Sequence, residues 1–348
     1  MTETQSEKHR FETVTEKILI SIDRPREKEI IERRFGINGH KETLESVGET
    51  MGITRERVRQ IEKATLLRMR LGLDNGKNPE FDAVEMELVK VLHELGRAAR
   101  TETLANEIFG NRTQRSRGII TLIAELSEKT VATTENDQYF PSVVLTTELS
   151  EKDIKKNVDI VVNTIKDHGE PVTADELLAL VGGKYEHPSE VTAIASISKH
   201  VFNLDNKWGL GKWPTVNPRN IRDKIYIVLS HNNQKPMHFS DIAAGVKSRD
   251  FKRNNITDQA VHNELIKDDR FVLVGRGIYA LSEWGYEKGS IIDVIRKVLE
   301  KESPLHRDEI VRRVLKVRQV REATILLNLQ SKTDFKRINK GEYTLVKK

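Results

Sequence analysis

Apolar residues recur at helical spacing along most of the chain and alternate only in a few short runs. The sharpest helical pattern is TLESVGETMGITRERVRQIEKATLLRMR, residues 43–70. Leu44, Val47 and Met51, at offsets 0, 3 and 7, predict one apolar stripe. Gly52 stands where that helix must end in a left-handed residue, and Thr54 is an N-cap for the next. Val58, Ile61, Thr65 and Leu66 face inward on the second helix. Arg55, Arg59 and Lys63 recur at i, i+4 on its other side, with Glu56 and Gln60 between them. The pattern predicts a helix, a four-residue turn and a second helix with a cationic outer face.

Beyond residue 80 the pattern repeats weakly. GRAARTETLANEI from Gly96, GEPVTADELLALV from Gly169, QKPMHFSDIAAGV from Gln234 and ESPLHRDEIVRRV from Glu302 align at spacings of 73, 65 and 68 residues. A helix is predicted before each, at 83–95, 152–167, 219–231 and 289–301, and another after each, near 113–127, 188–200, 257–267 and 320–330. β-prone sequence with a turn closes every repeat, at 131–144, 201–216, 271–281 and 335–346. The second of these contains a longer Gly- and Trp-containing loop. In the third, Gly275 and Gly277 are expected at positive φ around Arg276. In the fourth, the turn lies near Asn339–Gly341. Three helices and a hairpin make a winged helix. The expected fold is therefore mainly α with small β-hairpin wings: an N-terminal helix-turn-helix followed by four tandem winged-helix units. The expected boundaries are 1–23 (a polar segment or helix), 24–78, 80–148, 150–217, 218–286 and 287–348.

Composition narrows the function. The chain has 348 residues and no cysteine, so it has no disulfide framework, thiolate metal site or cysteine nucleophile. With no apolar run near about 18 residues and a polar start, MTETQSEKHR, a soluble cytoplasmic protein is expected, without membrane contact. Net charge is +5, but residues 24–70 hold 12 Lys/Arg against 8 Asp/Glu and residues 289–348 hold 15 against 8. The remainder is therefore acidic, a distribution that favours two nucleic-acid contacts over a uniformly sticky surface. The ten histidines show no HExxH spacing, no P-loop is present, and the lone GxG at 275–277 sits in a hairpin. His238 and His306 hold equivalent places in two repeats, where capping or packing suits them better than catalysis. No enzyme, metal or cofactor is expected.

The outer face of 55–63 carries the chemistry. Arg pairs with guanine, Gln with adenine, and Glu accepts from the cytosine amine, so a helix offering all three from its first turns is equipped to read base edges. An ordinary solvated helix with i, i+4 charge pairs shows the same residue types. The span from Arg24 to Arg70 goes further: PREKEIIERRFGI and TLESVGETMGITRERVRQIE resemble the two halves of region four of the primary bacterial sigma factors. The resemblance implies a domain that reads the minus-35 promoter element on double-stranded DNA and docks on the flap of the RNA polymerase beta subunit. By this resemblance Arg55, Glu56 and Gln60 match base-reading positions. Arg26, Arg34, Thr43, Arg57 and Arg59 match positions lying against phosphates or polymerase, and Lys63 joins them as a phosphate contact. The loop FGINGHKET between Phe35 and Thr43 is one residue shorter than is usual in that family. Only 23 residues precede the motif, so the upstream DNA-melting domain of a complete sigma factor is not expected.

The third repeat, HFSDIAAGV followed by ITDQAVHNELIKDDRFVLVGRGIYAL, resembles HARE-type helix-turn-helix domains, with 219–286 the clearest span and 287–348 a diverged relative. That family includes the delta subunit of some bacterial RNA polymerases. The resemblance implies DNA binding or polymerase association. Candidate secondary DNA contacts are Lys316, Arg318, Arg321, Lys336 and Arg337, with Arg276 at a hairpin tip either reaching a minor groove or simply solvated. The reading as a whole is a nucleoid-associated transcription factor that acts with RNA polymerase. Its rivals are a non-catalytic protein-interaction or nucleoid-type factor docked on polymerase, and a DNA-binding accessory of a restriction-modification system. Oligomeric state is left open.

Overall fold

Local chemistry sets the first helices. Helix α1 spans Glu3–Ile20, α2 Pro25–Phe35, α3 Leu44–Met51 and α4 Arg55–Gly72. Pro25 starts α2, where its missing N–H costs nothing, and Gly36 ends it at φ +71°. The computed structural model describes residues 3–73, 78–146, 149–249, 251, 256–286, 289–331 and 333–346. Within these the chain is mostly helical with small antiparallel sheets, and it divides into two compact units, Met1–Asn217 and Pro218–Lys348.

A similar order of elements then recurs, complete in three stretches and without the short strand in the second. The first repeat runs α5 (Pro79–Glu94), β1 (Ala98–Arg100), α6 (Thr101–Phe109), α7 (Gln114–Leu126), β2 (Thr130–Thr133) and β3 (Ser142–Leu145). The second runs α8 (Glu151–His168), α9 (Ala174–Val181), α10 (Pro188–Ile197), β4 (Val201–Leu204) and β5 (Lys207–Leu210). The third runs α11 (Ile221–Ser230), β6 (Met237–His238), α12 (Phe239–Ser248), α13 (Asp258–Lys267), β7 (Phe271–Gly275) and β8 (Ile278–Leu281). The fourth runs α14 (Ile291–Lys301), β9 (Leu305–His306), α15 (Arg307–Val317), α16 (Glu322–Leu329), β10 (Phe335–Asn339) and β11 (Glu342–Leu345). In three repeats the last strand is central, giving the orders β1-β3-β2, β6-β8-β7 and β10-β11-β9. In the second repeat a single bridge from Val172 to Trp208 takes the place of the short strand.

The cores cross the boundaries expected from the pattern. Helix α1, expected as a polar segment or helix, buries Phe11, Val14, Ile18 and Leu19 in one cluster with Ile31, Phe35 and Met69 of the helix-turn-helix and Leu88, Leu104, Ile119 and Ile123 of the first repeat. Charged residues interleave its apolar positions and hide the stripe from any reading of average polarity. A second cluster joins Ala98, Tyr139 and Val144 of the first repeat to Ile154, Val158, Leu177 and Val201 of the second.

Two hairpins differ from expectation. The second is tight: Leu204 pairs with Lys207 across Asp205 and Asn206, whose φ values of +50° and +62° suit a two-residue turn. The expected Gly- and Trp-containing loop supplies strand β5 instead. In the third hairpin only Gly277 has positive φ, +69°. Gly275 is needed for closeness, since an added Cβ would lie 2.6 Å from the carbonyl oxygen of Gln319. The Gln319 N–H donates to the Val274 carbonyl at 3.0 Å, which covers the outer edge of β7.

The third and fourth repeats share one joint. His238 and His306 each cap a helix, their Nδ1 atoms accepting from the N–H of Ser240 and of Asp308 at 3.4 Å. The Phe239 and Arg307 N–H groups donate to the Gly277 and Gly341 carbonyls at 2.9 and 2.8 Å. A Cβ on either glycine would meet the histidine Nε2 at 2.6 Å. Among the described residues no helix is long and apolar enough to cross a membrane, and no group of three or more His, Asp or Glu is placed to hold a metal ion.

Candidate nucleic-acid interface

Helices α2, α3 and α4 enclose a small core of Ile30, Val47 and Val58, with Leu44, Met51, Ile53 and Ile61 packed around it. The turn between α3 and α4 is shaped by glycine twice. Gly52 takes φ +66°, and Gly48 lets the Ile53 carbonyl fold back onto α3, where a Cβ would come within 2.6 Å of it. Thr43 caps α3 by accepting from the Ser46 N–H at 3.1 Å, and Thr54 caps α4 by accepting from the Arg57 N–H at 3.2 Å. The caps fix the register of α4, and Val58 turned inward leaves its neighbours turned outward.

Arg55, Glu56, Arg57, Arg59, Gln60 and Lys63 are all exposed on α4. Most of them engage each other. Glu56 accepts from Arg59 at 2.7 and 2.8 Å and from the Gln60 amide at 3.4 Å; Arg57 donates to Gln60 Oε1 at 3.2 Å. The Arg59 hydrogen bonds hold the Glu56 carboxyl below its usual range, and Glu56 in turn raises Arg59. Arg55 lies 3.8 Å from Glu45 at the start of α3. Because every one of these groups faces water, a base edge or phosphate can replace its partners at low cost.

The outer ring divides. Arg26 is exposed and donates to the Met51 carbonyl at 2.7 Å, tying α2 to the end of α3. Thr43 is exposed, with its hydroxyl serving the cap. Arg34 does not fit a phosphate contact: it is half-buried, pairs with Glu62 at 2.9 Å and donates to the Glu42 carbonyl at 2.6 Å. Its charge is neutralised inside the fold. Of the secondary candidates, Arg276, Lys316, Arg321, Lys336 and Arg337 are exposed. Arg318 corrects the expectation outright, being only 5% exposed, with its guanidinium donating to the carbonyls of Leu273 and Gly289.

Sequence reasoning missed the mount of this module. Gly118, in the middle of α7, passes so close to the Phe35 carbonyl that a side chain there would collide with it. Arg115 donates to the Ile37 carbonyl at 3.3 Å and to Glu16 at 3.2 Å, and Arg70 donates to the Glu125 carbonyl. A glycine inside an otherwise regular helix was the available signal.

A short helix, a glycine turn and a longer second helix, capped and cationic on its outer face, form a helix-turn-helix. Residues 24–71 match the family model described as Sigma-70, region 4. The chain is 39% identical over 69 residues to RNA polymerase sigma factor SigA of Nostoc sp., covering 20% of this chain and 17% of that protein. It is 50% identical over 54 residues to RNA polymerase principal sigma factor HrdD of Streptomyces coelicolor, covering 15% and 16%. It is 45% identical over 56 residues to RNA polymerase sigma factor sigB of Arabidopsis thaliana, covering 16% and 10%. The chain thus spans at most 17% of the length of these relatives.

Proposed function

We propose that this protein is a transcription factor that reads promoter DNA through α4 and works with RNA polymerase, the four repeats serving as winged-helix modules. The carrying observation is the outer face of α4, where Arg55, Glu56 and Gln60 stand exposed on the first turns of a region 4 helix. In this reading those three select bases. Arg57, Arg59 and Lys63 hold phosphates, and Thr43 and Arg26 lie at the flank of the same contact. The likeness of the third repeat to HARE-type domains supports a tie to polymerase, and the flap of its beta subunit is the dock suggested by region 4. Cytoplasmic, nucleoid-associated protein is the matching location.

The test is a paired one. Arg55→Ala or Gln60→Ala relaxes base preference by about 1–3 kcal/mol per lost bidentate contact, measured on a panel of duplexes with single-base changes. Lys63→Ala weakens all sequences alike and lowers the salt dependence. Uniform loss across all duplexes from all three changes removes the base-reading role.

A further inference from the structure

The third helix of a repeat has a consistent use in the first unit. Helix α7 carries the helix-turn-helix through Gly118 and Arg115. Helix α10 is covered by the first repeat: Arg100 Nε donates to the Ser196 carbonyl at 2.5 Å, the Phe140 N–H donates to the Ile197 carbonyl at 2.8 Å, and bare Gly96 passes the Ser189 carbonyl. Both helices present their outer faces to protein, and neither is open to a DNA groove.

Helix α16 of the last repeat keeps its outer face open. Glu322, Ala323 and Leu327 are exposed along it, with Gln330 exposed at its C-cap, and none is a cation. Glu322 stands in the first turn with no cation on the helix beside it, whereas Glu56 of α4 lies among Arg55, Arg57 and Arg59. Leu327 is 67% exposed, and the same repeat exposes Leu315 at 43% and Ile338 at 51%. Cations lie on the segments before and after α16 in the chain, and none lies on the helix itself. Lys316 and Arg321 precede α16, while Lys336, Arg337 and Lys340 lie on the hairpin, all exposed and without a carboxylate partner among the described residues. In the same repeat Arg296, Arg307, Arg312 and Arg313 are each ion-paired. The second unit as a whole holds 27 Lys/Arg against 17 Asp/Glu, a net +10.

We propose that the open face of α16 is a docking surface for an acidic amphipathic helix of a protein partner, whose apolar stripe covers Leu327 and whose flanking carboxylates meet Arg321 and the hairpin cations. An exposed leucine on a helix whose flanking segments carry unpaired cations fits that chemistry. It fits a nucleic acid poorly, because phosphates bring no apolar group to cover Leu327. The surface is independent of promoter reading by α4.

The test uses the full-length protein and fluorescence anisotropy with three labelled probes. One is a synthetic helical peptide of about 18 residues with leucines at i, i+3, i+4 and i+7 and glutamates on both flanks. The second has lysines in place of the glutamates, and the third is a duplex lacking a promoter element. The acidic peptide is expected to bind and the lysine peptide not. Leu327→Glu and the pair Arg321→Glu with Lys336→Glu should each weaken the acidic peptide on the order of tenfold or more. Arg55→Ala, which addresses promoter reading, leaves that affinity unchanged. All these side chains are exposed, so an unchanged melting temperature confirms that each variant is folded. Absence of binding by the acidic peptide, or binding insensitive to both changes, overturns the proposal. So does loss of duplex affinity alone, which would give the face to nucleic acid.

Discussion

Arg55 opens α4 and Arg318 caps the end of α15, both in basic segments, and their surroundings give them opposite work. Arg55 is in water beside Glu45 and keeps its donors exchangeable. Arg318 is buried and donates to the carbonyls of Leu273 in the third repeat and Gly289 at the start of the fourth. A hydrogen bond from a charged donor contributes about 1.5–3 kcal/mol. Arg318→Ala should therefore lower stability by about that much in denaturant titration while DNA affinity stays unchanged, and Arg55→Ala should do the reverse. An Arg318→Ala protein that melts like wild type but binds DNA more weakly would return Arg318 to the phosphate contacts expected from the sequence.

At the scale of elements, helix ends were legible and helix neighbours were not. Thr43, Gly52 and Thr54 act on backbone groups within three residues of themselves, so their roles follow from local pattern. The outward set on α4 follows from the same register, which is why Arg55, Glu56 and Gln60 could be placed before any coordinates. Gly118, Gly275 and Arg34 act on partners far along the chain, and no local period encodes those. Helix α15 shows a local device with a measurable consequence. Arg312 and Arg313 both donate to Glu309 and hold its carboxyl down to about 2. A carboxyl whose folded value is depressed stabilises the protein above its unfolded value, about 4.3, and loses that contribution as pH falls toward 2. Glu309→Gln should flatten the decline in stability over that window relative to wild type, with little difference at pH well below it. Parallel pH–stability curves for the two proteins would show that the pair contributes nothing, and added salt should narrow the gap because the site is exposed.

At the scale of the molecule, repeats and bodies do not coincide. The sequence period marks four equivalent stretches, yet the first unit gathers α1, the region 4 domain and two repeats around shared cores. Ile31, Phe35, Ile37 and Met69 of the region 4 domain, and Leu73 just past it, are buried, and part of what covers them comes from α1 and α5–α7. The domain's own core holds only Ile30, Val47 and Val58 fully buried, which is little for a segment of this size. Removing the cover exposes a contiguous apolar face, which at about 25 cal/mol per Å² erases the few kcal/mol available to a domain this small. A fragment of residues 24–73 should then show helical far-ultraviolet dichroism, poorly dispersed amide resonances and dye binding, whereas residues 3–146 should give sharp, dispersed spectra. The two fragments differ only by the cover and its repeat, so the comparison isolates it. Well-dispersed spectra and cooperative melting from 24–73 alone would show that the region 4 domain is self-sufficient and that α1 and α7 merely hold it in place. In that case Gly118→Val would detach the reader without unfolding it. If the cover is integral, the same substitution should unfold both together.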